Sequence, residues 1–120
     1  MTREKILVVD DLAQVAESVR DELSADFDVD TATSGMEALQ RFMACRYDGL
    51  VVDVQLEVGI SGLELVAKIR DRDPLVRVVF FSATDYSDDV RRSAVALGAS
   101  FCEKPVTGDT IRRLLGAGRS

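Results

Sequence analysis

The 120-residue chain contains no histidine. That removes the commonest general base and metal ligand together, and sets aside Ser/His/Asp hydrolysis and zinc chemistry. Cysteine is scarce as well. Cys45 and Cys102 are far apart and form no Cys-x-x-Cys pair, so neither a disulfide framework nor a thiol-based metal site is expected. No apolar run approaches the roughly 20 residues that span a bilayer, and Ile6 to Val9 is too short for a signal-peptide core. The expected compartment is the cytoplasm, without membrane contact. Positive charge is in the minority: the formal net charge is −6 and the pI about 4.6. This argues against direct nucleic-acid binding, which needs clustered Lys and Arg to displace counterions from phosphates. Gly-x-Gly-x-x-Gly and Gly-Lys-Ser are both absent, so nucleotide binding has no phosphate loop to rest on. Internal repeats, low-complexity tracts and linkers are missing too, and residues 1–120 fit one globular domain with no room for a second.

What remains is a regular alternation. Ile6-Leu7-Val8-Val9, Leu50-Val51-Val52-Asp53-Val54 and Val76-Arg77-Val78-Val79-Phe80-Phe81 are continuous, β-branched apolar runs, as expected of strands covered on both faces of a parallel sheet. Phe27-Val29-Thr31 alternates like a more exposed strand, and Ala99-Ser100-Phe101-Cys102 is a short fifth candidate. Helical patterns fall between them. Leu12, Val15, Ala16, Val19 and Leu23 form one apolar stripe. Ser34 with Glu37, and Ser61 with Glu64, read as capping boxes. After the first box Met36, Leu39 and Phe42 supply the buried face, with Gly35 tolerated. After the second, Gly62 leads a helix through Arg70, and Pro74 prevents continuation beyond Asp73. Ser87 to Leu97 is a fourth helix that begins with Asp88 and Asp89 and stops at Gly98. Thr107 to Leu115 is a short fifth, with a frayed end expected beyond it. Arg91, Arg92, Arg112 and Arg113 belong to solvated faces of these last two helices, an interaction surface being the alternative. Five β-α units with right-handed crossovers give a doubly wound α/β fold, a five-stranded parallel sheet with helices on both faces.

Ligands of such folds gather beyond the carboxyl ends of the strands. At those ends the polar residues collect: Asp10-Asp11 after strand one, Asp53 in strand three, Ser82-Ala83-Thr84 after strand four and Glu103-Lys104-Pro105 after strand five. Converging carboxylates repel one another unless positive charge sits between them. Mg²⁺, a hard cation that takes a few carboxylate oxygens and keeps waters for phosphate oxygens to replace, suits Asp10 or Asp11 with Asp53. Asp53 is then a candidate nucleophile for an aspartyl phosphate. Phosphoryl transfer asks the protein for positioning and charge neutralisation, which Lys104 and the Ser82 hydroxyl can supply.

Ile6-Leu7-Val8-Val9-Asp10-Asp11, Val51-Val52-Asp53, Phe81-Ser82-Ala83 and Lys104-Pro105 together resemble the receiver domain of bacterial two-component response regulators, over nearly the whole chain and in the same order and spacing. The resemblance implies a flavodoxin-like fold and phosphotransfer from a histidine kinase or phosphotransfer protein onto Asp53. It implies metal binding by Asp10, Asp11, Asp53 and the backbone carbonyl of Gln55, and a cis bond before Pro105. Gln55 and Thr84 border the path of attacking water and tune phosphoryl lifetime. Ser82 and Phe101 form a switch, in which the aromatic ring turns inward as the hydroxyl moves. The expected readers are a downstream effector or output domain at the face of the fourth helix, fifth strand and fifth helix, with a homodimer through that face as one option. One departure stands out. Many receivers have proline four residues after the phosphoacceptor and glycine eight residues after it, whereas here Glu57 takes the first position and Gly62 is nine residues on. An altered, longer loop is expected, with Gly59 absorbing an unusual backbone angle.

Two other functions compete. An aspartate-nucleophile phosphatase of the haloacid-dehalogenase type usually carries a second aspartate two residues after the first, and here that position is Gln55. A pseudo-receiver, binding proteins without being phosphorylated, would be expected to lose an acidic or Lys position, and none is missing.

Overall fold

The three apolar runs occupy the centre of one parallel sheet. A computed structural model describes residues 3–56, 59–82, 88–103 and 107–116. Its strands are β1 (Lys5–Val9), β2 (Asp28–Ala32), β3 (Gly49–Asp53), β4 (Arg77–Ser82) and β5 (Ser100–Glu103), in the order β2-β1-β3-β4-β5. Helices α1 (Ala13–Leu23), α2 (Gly35–Ala44), α3 (Gly62–Arg72), α4 (Asp88–Ala96) and α5 (Gly108–Gly116) connect or follow them. The alternating Phe27-Val29-Thr31 segment forms β2 at one edge, where partial exposure matches its polar content, though Phe27 itself precedes the strand.

Strand periodicity divides the core into two layers. Leu7 and Val9, Leu50 and Val52, Val78 and Phe80 face one side, with Leu65, Val66 and Ile69 of α3 and Ala94 of α4. Ile6 and Val8, Val51, Val79 and Phe81 face the other, with Ala16, Val19 and Leu23 of α1 and Ile111 and Leu115 of α5. Both Ser caps form: Ser34 Oγ accepts from Glu37 N and Ser61 Oγ from Glu64 N, each at 3.1 Å. Glu37 reaches back one residue further than a standard box, to Thr33 N at 2.7 Å. Among the described residues no helix is long and apolar enough to cross a membrane.

Expectations at four residues are corrected. Leu12 precedes α1 and is 61% exposed, and Met36, one residue round from the Gly35–Ala38–Leu39–Phe42 face of α2, is 50% exposed. Gly35 is required rather than tolerated, because a Cβ there would lie 2.5 Å from Ile60 Cγ1. Arg112 leaves the solvated face to pair with Asp26 and Asp109, with a further bond to the Glu22 carbonyl that ties α5 to the end of α1. Gly98 does terminate α4 as expected. At φ +71° it donates to Val95 O while Ala99 donates to Ala94 O, a Schellman closure.

Neither cysteine forms a disulfide. Burial pushes the Cys102 thiol up to about 11 from an ordinary 9.0. Since the folded state holds this proton more tightly, its contribution to stability is complete below pH 9 and disappears as pH rises through about 11. At pH 9 alkylation of Cys102 by iodoacetamide is expected to be about fiftyfold slower than in the urea-unfolded chain, because only the thiolate reacts and its fraction falls from about one half to about one hundredth. Equal rates would contradict that protection.

Candidate functional site

The strand order reverses between β1 and β3, and the crevice beyond the carboxyl ends of that pair is where such sheets bind ligands. Asp10 and Asp11 follow β1 there, and Asp53 ends β3. Oxygens of all three carboxylates lie within 4.8 Å of one another. Asp10 is fully buried, Asp53 nearly so, and Asp11 half-buried.

Local backbone bonding explains how such a cluster is held. Asp10 N donates to Ala32 O at 3.1 Å, which extends the β1–β2 ladder one residue past the strand, and Asp10 Oδ1 accepts from Leu12 N at 2.8 Å. Asp53 Oδ1 accepts from Gln55 N at 2.9 Å, and Val54 N donates to Phe81 O at 3.1 Å. Asp10 and Asp53 therefore each turn the chain with their own carboxylate, so the rotamer of each is fixed by the turn it makes. Ser82, fully buried, ends the neighbouring strand β4, one residue beyond Phe81, the register partner of Asp53. Gln55 is exposed at the mouth.

Gly62, which opens α3, closes this loop from below. A Cβ there would come 2.3 Å from Asp53 O and 3.1 Å from Val54 Cα, and Gly62 N donates to Val54 O at 3.3 Å. Sequence reading noticed the spacing of this glycine and missed the contact that demands it. Gly59 has φ +79° with open space around it, the unusual angle expected of the longer loop. Glu57 lies outside the described residues, as do Thr84, Lys104 and the bond before Pro105.

Phe101 lies on β5 opposite Phe80, with ring centroids 6.3 Å apart, and alternation puts it on the same sheet face as Ser82. The ring is half-buried against the α4 side of the core, and the Arg91 guanidinium carbon lies 5.9 Å from its centroid. A cavity of about 570 Å³ opens at the amino ends of β4 and β5, around Arg70, Pro74, Leu75 and Gly98. Arg70 lines it, donating to Leu97 O at 2.8 Å and Pro74 O at 3.2 Å, which makes it a brace between helix ends far from the carboxylates.

Oxygen-only donors, clustered and largely buried, fit a hard divalent cation, and they stand where a doubly wound sheet places its chemistry. The profile of the response regulator receiver domain matches residues 6–115. The chain belongs to that family. Receivers of two-component systems are phosphorylated on aspartate and generally bind Mg²⁺ at an acidic pocket, and this receiver has the acidic cluster. It is similar to the DNA-binding transcriptional activator DevR/DosR of Mycobacterium tuberculosis, 35% identical over 97% of this chain and 56% of that protein. It is also similar to a protein-glutamate methylesterase/protein-glutamine glutaminase of Syntrophomonas wolfei, 30% identical over 88% of this chain and 31% of that protein. The receiver thus spans only about a third to just over half the length of these relatives. Among solved structures, the chemotaxis protein CheY4 of Vibrio cholerae superposes with a TM-score of 0.86 at 28% identity, covering 97% of this chain and 98% of that one. A Burkholderia pseudomallei response regulator, solved with a phosphorylated aspartic acid, calcium ion and citrate, gives 0.85 at 28% identity over 93% of this chain and 66% of that one.

Proposed function

We propose that Asp53 is the phosphoacceptor of this receiver and that Asp10, Asp11, Asp53 and the Gln55 carbonyl hold Mg²⁺ beside it. The observation that carries the reading is the convergence of three carboxylates within 4.8 Å at the β1/β3 crevice, with the buried Ser82 ending the next strand. An Asp53 carboxylate oxygen attacks phosphorus in line with the leaving group. The new O–P bond forms as the P–N bond of a kinase phosphohistidine, or the P–O bond of acetyl phosphate, breaks. The leaving imidazole or acetate carries away the electron pair. Bound Mg²⁺ supplies neutralisation of charge on the phosphoryl oxygens. Gln55 N holds Asp53 Oδ1 so that the carboxylate plane stays fixed during attack. Ser82 offers its hydroxyl to a phosphoryl oxygen, and Lys104 offers a positive charge.

In this reading residues 1–120 act as one signalling unit in the cytoplasm, with no turnover of outside substrates beyond their own phosphorylation and dephosphorylation. Gln55 and Thr84 set the lifetime of the phosphoryl group. A histidine kinase or phosphotransfer protein supplies that group. Movement of Ser82 toward the phosphate lets Phe101 turn inward, and an effector or output domain, or a second copy, reads the resulting α4–β5–α5 face. The decisive test is intact-mass spectrometry with acetyl phosphate and Mg²⁺. One added phosphoryl group in the parent and none in Asp53→Asn supports the reading. An unmodified parent would instead favour a pseudo-receiver, and steady release of phosphate from many esters a phosphatase.

A further inference from the structure

Phe101 lacks a hydroxyl, so sequence alone leaves burial as the only influence on its orientation. The structure adds another. Arg91, on the exposed side of α4, sets its guanidinium carbon 5.9 Å from the centroid of the Phe101 ring, while Phe80 meets the same ring at an interplanar angle of 43°. The ring thus meets both a core aromatic and a surface cation. Val90, Ala94 and Leu97 of α4 pack on the same side of the core as Phe101, so helix and ring share one apolar seam.

From this geometry we infer that Arg91 is a positioning residue for the switch, a latch whose guanidinium holds the Phe101 ring half-buried and ties its orientation to α4. The inference rests on the assignment of Phe101 as a switch in the preceding section. A guanidinium is attracted to a ring face only while it stays within about 6 Å of the centroid, and Arg91 at 5.9 Å is already near that limit. A ring turned inward to full burial would leave the exposed cation behind, or require the cation to follow and lose its hydration. Either way the contact favours the half-buried orientation. Inward rotation therefore costs the Arg91 contact, and α4 senses the loss directly, since the guanidinium is its own. A ligand that prefers the inward state must work against the latch, and by linkage removing the latch should tighten its binding.

The experiment measures beryllofluoride binding to the Mg²⁺-loaded chain, followed by NMR of ¹³C-labelled Phe101. Arg91→Gln should move the ring resonance of the ligand-free chain toward its position in the beryllofluoride complex. It should also tighten beryllofluoride about two- to fivefold, the equilibrium equivalent of an exposed cation–π contact. Arg91→Lys should fall between the parent and Arg91→Gln. In a Phe101→Leu background Arg91→Gln should have no effect, which a purely structural role for Arg91 on α4 would not produce. Unchanged or weaker binding in Arg91→Gln, or the same effect with Leu at position 101, overturns the latch. If the parent ring does not respond to beryllofluoride at all, the switch assignment itself fails, an outcome distinct from failure of the latch.

Discussion

Phosphoryl uptake from acetyl phosphate is expected to vanish in Asp53→Asn and, at limiting Mg²⁺, to fall by at least about 10–100-fold in Asp10→Asn or Asp11→Asn, the scale on which even outer-shell metal partners matter. The two neighbours should fail differently. Asp11 is half-buried, so its amide can turn toward water without burying an unpaired group. Asp10 is fully buried, and Oδ1 accepts from Leu12 N at 2.8 Å. An amide oxygen can keep that bond only by pointing its NH₂ into the carboxylate cluster, where an acceptor is needed. Metal binding should also appear as stability. Mg²⁺ at a hundred times its Kd adds about 2.7 kcal/mol to the unfolding free energy of the parent, and a hundredfold weaker site adds only about 0.4 kcal/mol at the same concentration. Urea unfolding with and without Mg²⁺ reads both effects. A parent indifferent to Mg²⁺, or an Asp11→Asn variant that gains as much from it as the parent, would remove these carboxylates from the metal site.

The fold and most of this site were legible because their signals are local. Continuous apolar runs marked β1, β3 and β4 as strands buried on both faces, and Ser–x–x–Glu marked the starts of α2 and α3, where both serine caps form. Asp10, Asp11 and Asp53 could be gathered from sequence since strand ends of a doubly wound sheet share one rim. Illegible features depend on what lies across space. Leu12 and Met36 carry the right residue type for a helix face, but each sits a step outside the face that meets the sheet. Arg112 resembles any surface arginine until Asp26, from the turn after α1, is found beside it. Arg91 reads as a solvated charge because nothing in its neighbourhood of sequence predicts an aromatic on β5. Gly35 and Gly62 both follow a capping serine, where sequence marks glycine as merely permitted. Only the distances to Ile60 and to Asp53 O reveal a requirement.

That distinction makes the two glycines around the site loop unequal. Gly62→Ala is expected to cost about 2–3 kcal/mol of unfolding free energy, at the upper end of overpacking effects. The added Cβ would meet Asp53 O at 2.3 Å, Val54 Cα at 3.1 Å and the Asp53 carbonyl carbon at 3.2 Å. All three atoms are backbone, so no side chain can rotate away, and either α3 lifts from the sheet or the end of β3 shifts. Both movements displace Asp53, because Gly62 N is bonded to Val54 O and Val54 N to Phe81 O on the next strand. Loss of stability should therefore come with loss of the Mg²⁺-dependent gain. Gly59→Ala meets no atom of the described residues within 4 Å, and its cost is a side chain at φ +79°. That cost is roughly 1–2 kcal/mol, with the carboxylates undisturbed. Gly59→Asn, which tolerates the left-handed region, should cost less still. Urea titrations of the three variants with and without Mg²⁺ separate the cases. Gly62→Ala must lose both stability and its response to the metal, whereas the Gly59 variants must keep the response. A Gly62→Ala chain that binds Mg²⁺ like the parent would show that the close approach of α3 to Asp53 is not what holds the phosphoacceptor in place.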